Sequence, residues 1–165
     1  MSSHKKFVRN LVDSIEPQFV VARWLHLHGR TVTIEGLRVA PSADQQDDYV
    51  DHGDIRDHTS GIIEVKSITR NFHDEGSWPF GSEIFVANVK SVDRRRAEVA
   101  AYITVSADLR FGAIINCLTN SDWSIKSVKD PKTGSDYLVY VARTSDASFV
   151  DLSAPPKHIK IILGD

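Results

Sequence analysis

Two carboxylates and one amine in the first half of the chain have the types and the spacing that phosphate chemistry requires. Glu64 and Lys66 stand two residues apart in an apolar run, residues 61–66, and Asp54 precedes Glu64 by ten residues. The run is rich in β-branched residues, which predicts a strand. Because side chains alternate between the two faces of a strand, we expect Glu64 and Lys66 on one face and Ile63 and Val65 on the opposite, core-facing side.

A chain return between residues 55 and 61 would bring Asp54 beside Glu64. Two carboxylates hold a hard cation such as Mg²⁺ or Mn²⁺, and the main-chain carbonyl of Val65 would add a third oxygen ligand. Such a cation polarises a phosphate and lowers the pKa of bound water, while Lys66 can orient that water or stabilise developing negative charge. The three side chains therefore predict metal-dependent hydrolysis of a phosphodiester.

Asp54, nine intervening residues and then Glu64-Val65-Lys66 resemble the signature of the PD-(D/E)XK nuclease superfamily. That superfamily includes Holliday junction resolvases, many restriction endonucleases and phage exonucleases. The resemblance covers roughly residues 16–106 and implies a restriction-endonuclease-like core and a Mg²⁺-dependent deoxyribonuclease. The proline of the family signature is replaced here by Gly53.

The resemblance carries three further expectations. Family members often have an acidic residue on the first helix that points at the site, and Glu16 is the best match. DNA is the expected partner, and analogy with the small resolvase-like members implies a homodimer. Inactive members with intact folds exist in the family, so the alternative is a catalytically inactive nucleic-acid-binding or interaction module.

A second alternative has no nucleic-acid role at all. A bare Glu-x-Lys pair is common, and on an edge strand Glu64 and Lys66 can simply form a surface ion pair. Asp51 competes with Asp54 for the role of the first carboxylate, but the apolar Ile55 favours Asp54 as the residue next to a strand.

The elements that must position these residues are two helices near the front of the chain and strands through the middle and end. Helical spacing predicts helices over 5–15 and from Pro17 to Gly29, where Pro17 suits a first turn and Gly29 a helix end. A short helix or turn is expected over 89–97. The predicted strands are 31–34 (with 37–40 continuing or pairing with it), 62–66, 83–89, 102–106, 110–118, 123–128, 136–143 and 159–163. Strands 123–128 and 136–143 are expected to pair, because turn residues lie between them at 130–134. This order predicts an α/β or α+β domain. We choose α/β, with a central mixed β-sheet flanked by helices.

Basic and aromatic residues follow the motif strand. The basic residues form the most positive stretch of the chain and either neutralise phosphates or are simply solvated; they are Arg70, Lys90, Arg94, Arg95 and Arg96. Three aromatic residues lie in the long connection over 71–81 and either stack on bases or anchor the connection on the core; they are Phe72, Trp78 and Phe80.

Composition and the remaining cysteine and histidine residues indicate a single domain without a disulfide, a zinc site or a membrane-spanning helix. With 165 residues, 41% hydrophobic and 25% charged, one domain over 1–165 is expected. The single cysteine, Cys117, excludes an intrachain disulfide and predicts a core side chain. His52 and His58 flank Asp54, but no third ligand at a zinc-like spacing accompanies them. No apolar stretch approaches the ~20 residues of a membrane-spanning helix, and a cytoplasmic location is expected.

Overall fold

The computed structural model describes residues 12–36, 41–42, 45, 53–120, 122–129 and 134–153. The expected helix over 5–15 falls mostly outside these residues, and the expected strands over 37–40 and 159–163 fall wholly outside them. Within the described part of the chain, no helix has the length and apolar character needed to cross a membrane.

Helix α1, Ile15–Leu27, packs one face on the main sheet. It begins two residues before Pro17, which therefore lies in the first turn, where a missing N–H breaks no helical hydrogen bond. Gly29 (φ +81°) follows the end of the helix, and its N–H donates to the carbonyl of His26 while the N–H of Arg30 donates to that of Leu25. These two bonds form a Schellman motif, the helix end that a glycine at this position favours.

The described residues contain the elements β1 Val32–Ile34, β2 Ile55–Asp57, β3 Gly61–Ser67, β4 Glu83–Asn88, α2 Val89–Arg95, β5 Val99–Val105, β6 Phe111–Asn116 and β9 Ser148–Asp151. Six of these strands form the main sheet in the order β1-β2-β3-β5-β6-β9. All neighbours are antiparallel except β3 and β5, which are parallel. A parallel pair needs a crossover connection, and here the crossover contains β4 and the short helix α2.

A second, three-stranded sheet covers part of the opposite face of the main sheet. Its order is β4-β8-β7, with β7 over Ser124–Lys129 and β8 over Asp136–Arg143, and both of its strand pairs are antiparallel. Over the residues that the structure describes, the fold is thus α/β with a mixed six-stranded sheet and two helices. The expected mixed sheet is confirmed, whereas helices cover less of it than expected because a sheet occupies part of the second face.

Two apolar clusters lie on the two faces of the main sheet. One lies beneath α1 and contains Ile63 and Val65 of β3; the other lies beneath α2, β4 and the connection after β3, and contains Ile62. All seven residues of β5 are buried, as expected for a central strand that is covered on both faces. The face that carries Glu64 and Lys66 is therefore also largely covered, and is not simply a polar edge.

The return between β2 and β3 is held by a buried carboxylate. Asp57 is 1% exposed and accepts hydrogen bonds from the side chains of Arg30 and Ser60. Burial alone would raise the pKa of Asp57, but these hydrogen bonds outweigh it and lower the pKa. Since Gly61 pairs with Asp57 and Ile63 with Ile55, this turn sets the register that brings residue 54 to the level of residue 64.

The expected strands inside the described ranges are confirmed within a few residues of their predicted ends, and the expected short helix over 89–97 is α2. Strands β7 and β8 pair as predicted. The strand β9 has no counterpart among the expected elements, because its short sequence carries neither clear alternation nor turn residues on both sides.

Candidate functional site

Asp54 lies one residue before β2, at the end of the β2–β3 pair. The register places it opposite Glu64. Its Oδ2 accepts a hydrogen bond from the main-chain N–H of Val65 at 2.7 Å, and its Oδ1 accepts one from Nε2 of Gln18 at 2.7 Å. Strand β3 and helix α1 together fix the orientation of this carboxylate.

Gly53 has a structural reason to be glycine. Its φ is +120°, and a Cβ at this position would lie 2.4 Å from Cγ2 of Ile62 and 2.8 Å from Nη2 of Arg95. Any other residue would therefore be strained and would displace side chains that pack beside the site. Glycine at position 53 is thus fixed by backbone conformation and by close approach.

Glu64 forms a largely buried ion pair with Arg95. Its Oε1 lies 2.7 Å from Nη1 of Arg95, and the two side chains are 20% and 16% exposed. Arg95 is the last residue of α2. The crossover helix therefore positions a guanidinium on the face of β3 that carries Glu64. A pair this sheltered is screened less than a surface pair, and removal of either partner would leave a poorly solvated charge.

Lys66 extends from β3 towards the three-stranded sheet. Its Nζ donates a hydrogen bond to the main-chain carbonyl of Val86 and lies 4.9 Å from the centroid of the Phe85 ring and 5.7 Å from that of Tyr102. Burial lowers the pKa of Lys66 from 10.5 to about 8, against the attraction of nearby Glu64 and Asp54, which raises it. The amine is therefore close to the range in which it can exchange a proton at neutral pH.

The oxygen atoms on and beside Asp54 are of the type that a hard divalent cation binds. In a strand, the N–H and C=O of one residue point to the same edge. The N–H of Val65 meets Asp54, so the Val65 carbonyl faces that edge too. Asp54, Glu64 and this carbonyl are the oxygen atoms near the end of the β2–β3 pair that could bind Mg²⁺ together with water. Within the described residues, no three side chains of His, Cys, Asp or Glu come together as a metal cluster.

The helix residue that reaches Asp54 is Gln18, which sequence reasoning missed. Gln18 is 8% exposed and shares a stripe of the helix with Val21, Ala22 and Leu25. Glu16, the expected acidic contributor, is exposed, and residues two apart on a helix do not share a face. The signal was present in the sequence: a polar residue at a core position of an amphipathic helix needs a buried partner.

The expected basic stretch divides into residues with different surroundings. Arg70, Lys90 and Arg94 are exposed, whereas Arg95 is turned inward onto Glu64. Arg96 is exposed, with its guanidinium carbon 5.9 Å from the ring centroids of Trp123 and Tyr140.

The aromatic residues after β3 also divide. Phe72 and Trp78 are 2% and 7% exposed, so they anchor the connection on the core, whereas Phe80 is 52% exposed.

Among the described residues, the cysteine and the histidines do not add a reactive group to the site. Burial raises the pKa of the Cys117 thiol to about 12, which makes it a poor nucleophile. His58 is hydrogen-bonded to Thr33, and His52 lies outside the described residues.

Comparisons with known proteins add no relative: no protein-family model matches the sequence, and no curated protein or solved structure is significantly similar to it.

Proposed function

We propose that this protein is a metal-dependent nuclease that hydrolyses phosphodiester bonds in DNA. The observation that carries the proposal is the hydrogen bond from the N–H of Val65 to Asp54, which holds this carboxylate beside the strand from which Glu64 and Lys66 project. Two carboxylates can bind a cation, and a lysine of lowered pKa can assist the transfer of a phosphoryl group. This combination favours a nuclease over the alternative in which Glu64 and Lys66 only form an ion pair on the surface.

The order of elements supports a restriction-endonuclease-like core. Helix α1 is followed by three strands in antiparallel succession, by a crossover with a helix, and by β5 parallel to β3. Asp54 precedes the second of these strands and Glu64-Val65-Lys66 lies within the third. This arrangement agrees with the helix, strand, acidic residue and acidic-x-lysine strand on which the resemblance to PD-(D/E)XK nucleases rests.

Each residue then has a defined task. Asp54, Glu64 and the Val65 carbonyl would hold Mg²⁺ or Mn²⁺, which supplies Lewis-acid activation of the phosphate and of water. Gln18 orients Asp54 through the hydrogen bond from its Nε2 to Oδ1 of the carboxylate. Lys66, close to its pKa, donates a hydrogen bond to the attacking water or to a phosphate oxygen as negative charge develops.

The test is cleavage of plasmid, linear, branched and single-stranded DNA in Mg²⁺, in Mn²⁺ and in EDTA. We expect Asp54→Asn, Glu64→Gln and Lys66→Met to reduce cleavage to the level of the EDTA control. Exposed residues of the same types provide matched controls, Asp136→Asn, Glu98→Gln and Lys129→Met, and these should cut as wild type. Cleavage that survives EDTA, or that survives all three site substitutions in folded protein, would overturn the assignment.

One observation favours a second candidate, a nucleic-acid-binding module without turnover. The Arg95 guanidinium already neutralises Glu64 at 2.7 Å, so the carboxylate is satisfied without a cation. A module of this kind would bind DNA equally well in EDTA and in Mg²⁺ and would cut none of the substrates.

A further inference from the structure

A pocket of about 450 Å³ opens beside the candidate site, between the main sheet and the three-stranded sheet. Lys66 and Thr104 contribute to its wall from the main sheet, and Phe85, Lys126 and Val139 contribute from the three-stranded sheet. Its volume falls in the range of small-molecule sites, roughly 300–1,000 Å³. Since Lys66 belongs both to this pocket and to the candidate site, an occupant would lie next to the reacting phosphate.

We propose that this pocket receives one unpaired nucleobase from the strand whose phosphate is held at Asp54, Glu64 and Lys66. The inference rests on the proposed function and deepens it, because it names the form of nucleic acid that the site accepts.

The aromatic side chains of the pocket match a flat, apolar ring. Phe80 and Phe85 are 52% and 42% exposed, although both are large apolar side chains. Trp78 supports Phe80 from behind, with ring centroids 5.6 Å apart in an edge-to-face arrangement. Exposed aromatic rings at the wall of a pocket are the usual platform for stacking an unpaired base.

Two of the three charged side chains that line the pocket, Lys66 and Lys126, are amines of the kind that bind phosphates, and the third is Glu83. The ammonium of Lys126 lies at the wall, 2.6 Å from a carboxylate oxygen of Glu83, and the amine of Lys66 lies near the Phe85 ring. An apolar pocket that carries amines at its wall complements a molecule with an apolar ring and an anionic backbone. A nucleotide has both parts, whereas a hydrocarbon has no anionic group that could pair with the amines.

Base pairing decides which nucleic acid can enter. A base within a duplex is stacked and paired, and it reaches a side pocket only after unpairing and extrusion. A single strand, a flap or the unpaired arm of a branch offers its bases without that cost. The pocket therefore predicts preference for unpaired nucleic acid next to the scissile phosphate.

The test is a binding titration in EDTA, so that no cleavage interferes, with a short single-stranded oligonucleotide that carries one 2-aminopurine and with the same oligonucleotide in a duplex. We expect the wild type to bind the single strand more tightly than the duplex and to change the 2-aminopurine fluorescence. Phe80→Ala and Phe85→Ala should each weaken single-strand binding about tenfold. Phe80 is exposed, so its substitution leaves the core intact.

Leu138→Ala is the matched control. Leu138 is 51% exposed on β8 and, as the neighbour of Val139, projects to the other face of the three-stranded sheet. It should bind as wild type. Equal binding by all three variants, or equal affinity for single strand and duplex, would refute the base pocket. Because the titration contains no metal, its result is independent of whether the protein cleaves DNA.

Discussion

Replacement of Lys66 by methionine should make the protein more stable at neutral pH while it abolishes the proposed activity. Methionine has nearly the same length and shape but carries no charge into the covered face of β3. Burial makes the charged form of Lys66 unfavourable in the folded protein. A side chain that lowers stability in this way is expected at a functional site.

The size of the effect follows from the pKa of Lys66. Its fall from 10.5 to about 8, at about 1.4 kcal/mol per pH unit, amounts to roughly 3 kcal/mol of unfavourable free energy for the charged form in the folded protein. The variant also loses the hydrogen bond from Nζ to the Val86 carbonyl, which is worth about 1 kcal/mol. The net expectation is a gain of about 2 kcal/mol in the free energy of unfolding at pH 7.

The sign of the pH dependence is fixed. Well below pH 8 the lysine is protonated in both the folded and the unfolded chain, so the whole penalty is present. Between pH 8 and pH 10.5 the folded form releases its proton while the unfolded form keeps it. The wild type therefore becomes more stable relative to the variant as the pH rises through this window.

The assay is urea unfolding of both proteins between pH 7 and pH 10, followed by tryptophan fluorescence. Lys129→Met, at an exposed position of β7, controls for the loss of a positive charge. The reasoning is refuted if Lys66→Met is less stable than the wild type at pH 7, or if the difference between the two proteins does not change with pH.

Two other substitutions, one of them with a control, test the residues that position the site. Gln18→Met keeps the volume of the helix side chain but removes the donor to Asp54; it should weaken Mn²⁺ binding about tenfold in calorimetric titration, and unchanged affinity would argue against a metal at Asp54. Gly61→Ala puts a Cβ 2.7 Å from the main-chain oxygen of Glu98 at φ +118° and should lower the free energy of unfolding by about 3 kcal/mol. Gly81→Ala, at φ +73° with nothing within 4 Å, should cost about 1 kcal/mol; equal losses in urea unfolding would show that the close approach is unimportant.

The local pattern of the sequence was enough to locate most of the elements. The β-branched run before Lys66 predicted β3, and Pro17 and Gly29 bracketed α1 within two residues of its observed ends. The turn residues between β7 and β8 predicted their pairing. These features depend on alternation, helical spacing and turn chemistry, all of which act between residues close together in the chain.

The sequence by itself also determined that Glu64 and Lys66 share one face of a strand, because alternation along a strand depends on nothing else. Only the tertiary structure decided what covers that face. Three contacts illustrate this: Lys66 with Val86 of the three-stranded sheet, Glu64 with Arg95, and Asp54 with Gln18. In each contact the two residues are 20 to 36 positions apart in the chain. Such contacts depend on how the elements pack, and periodicity within one element carries no information about its partner.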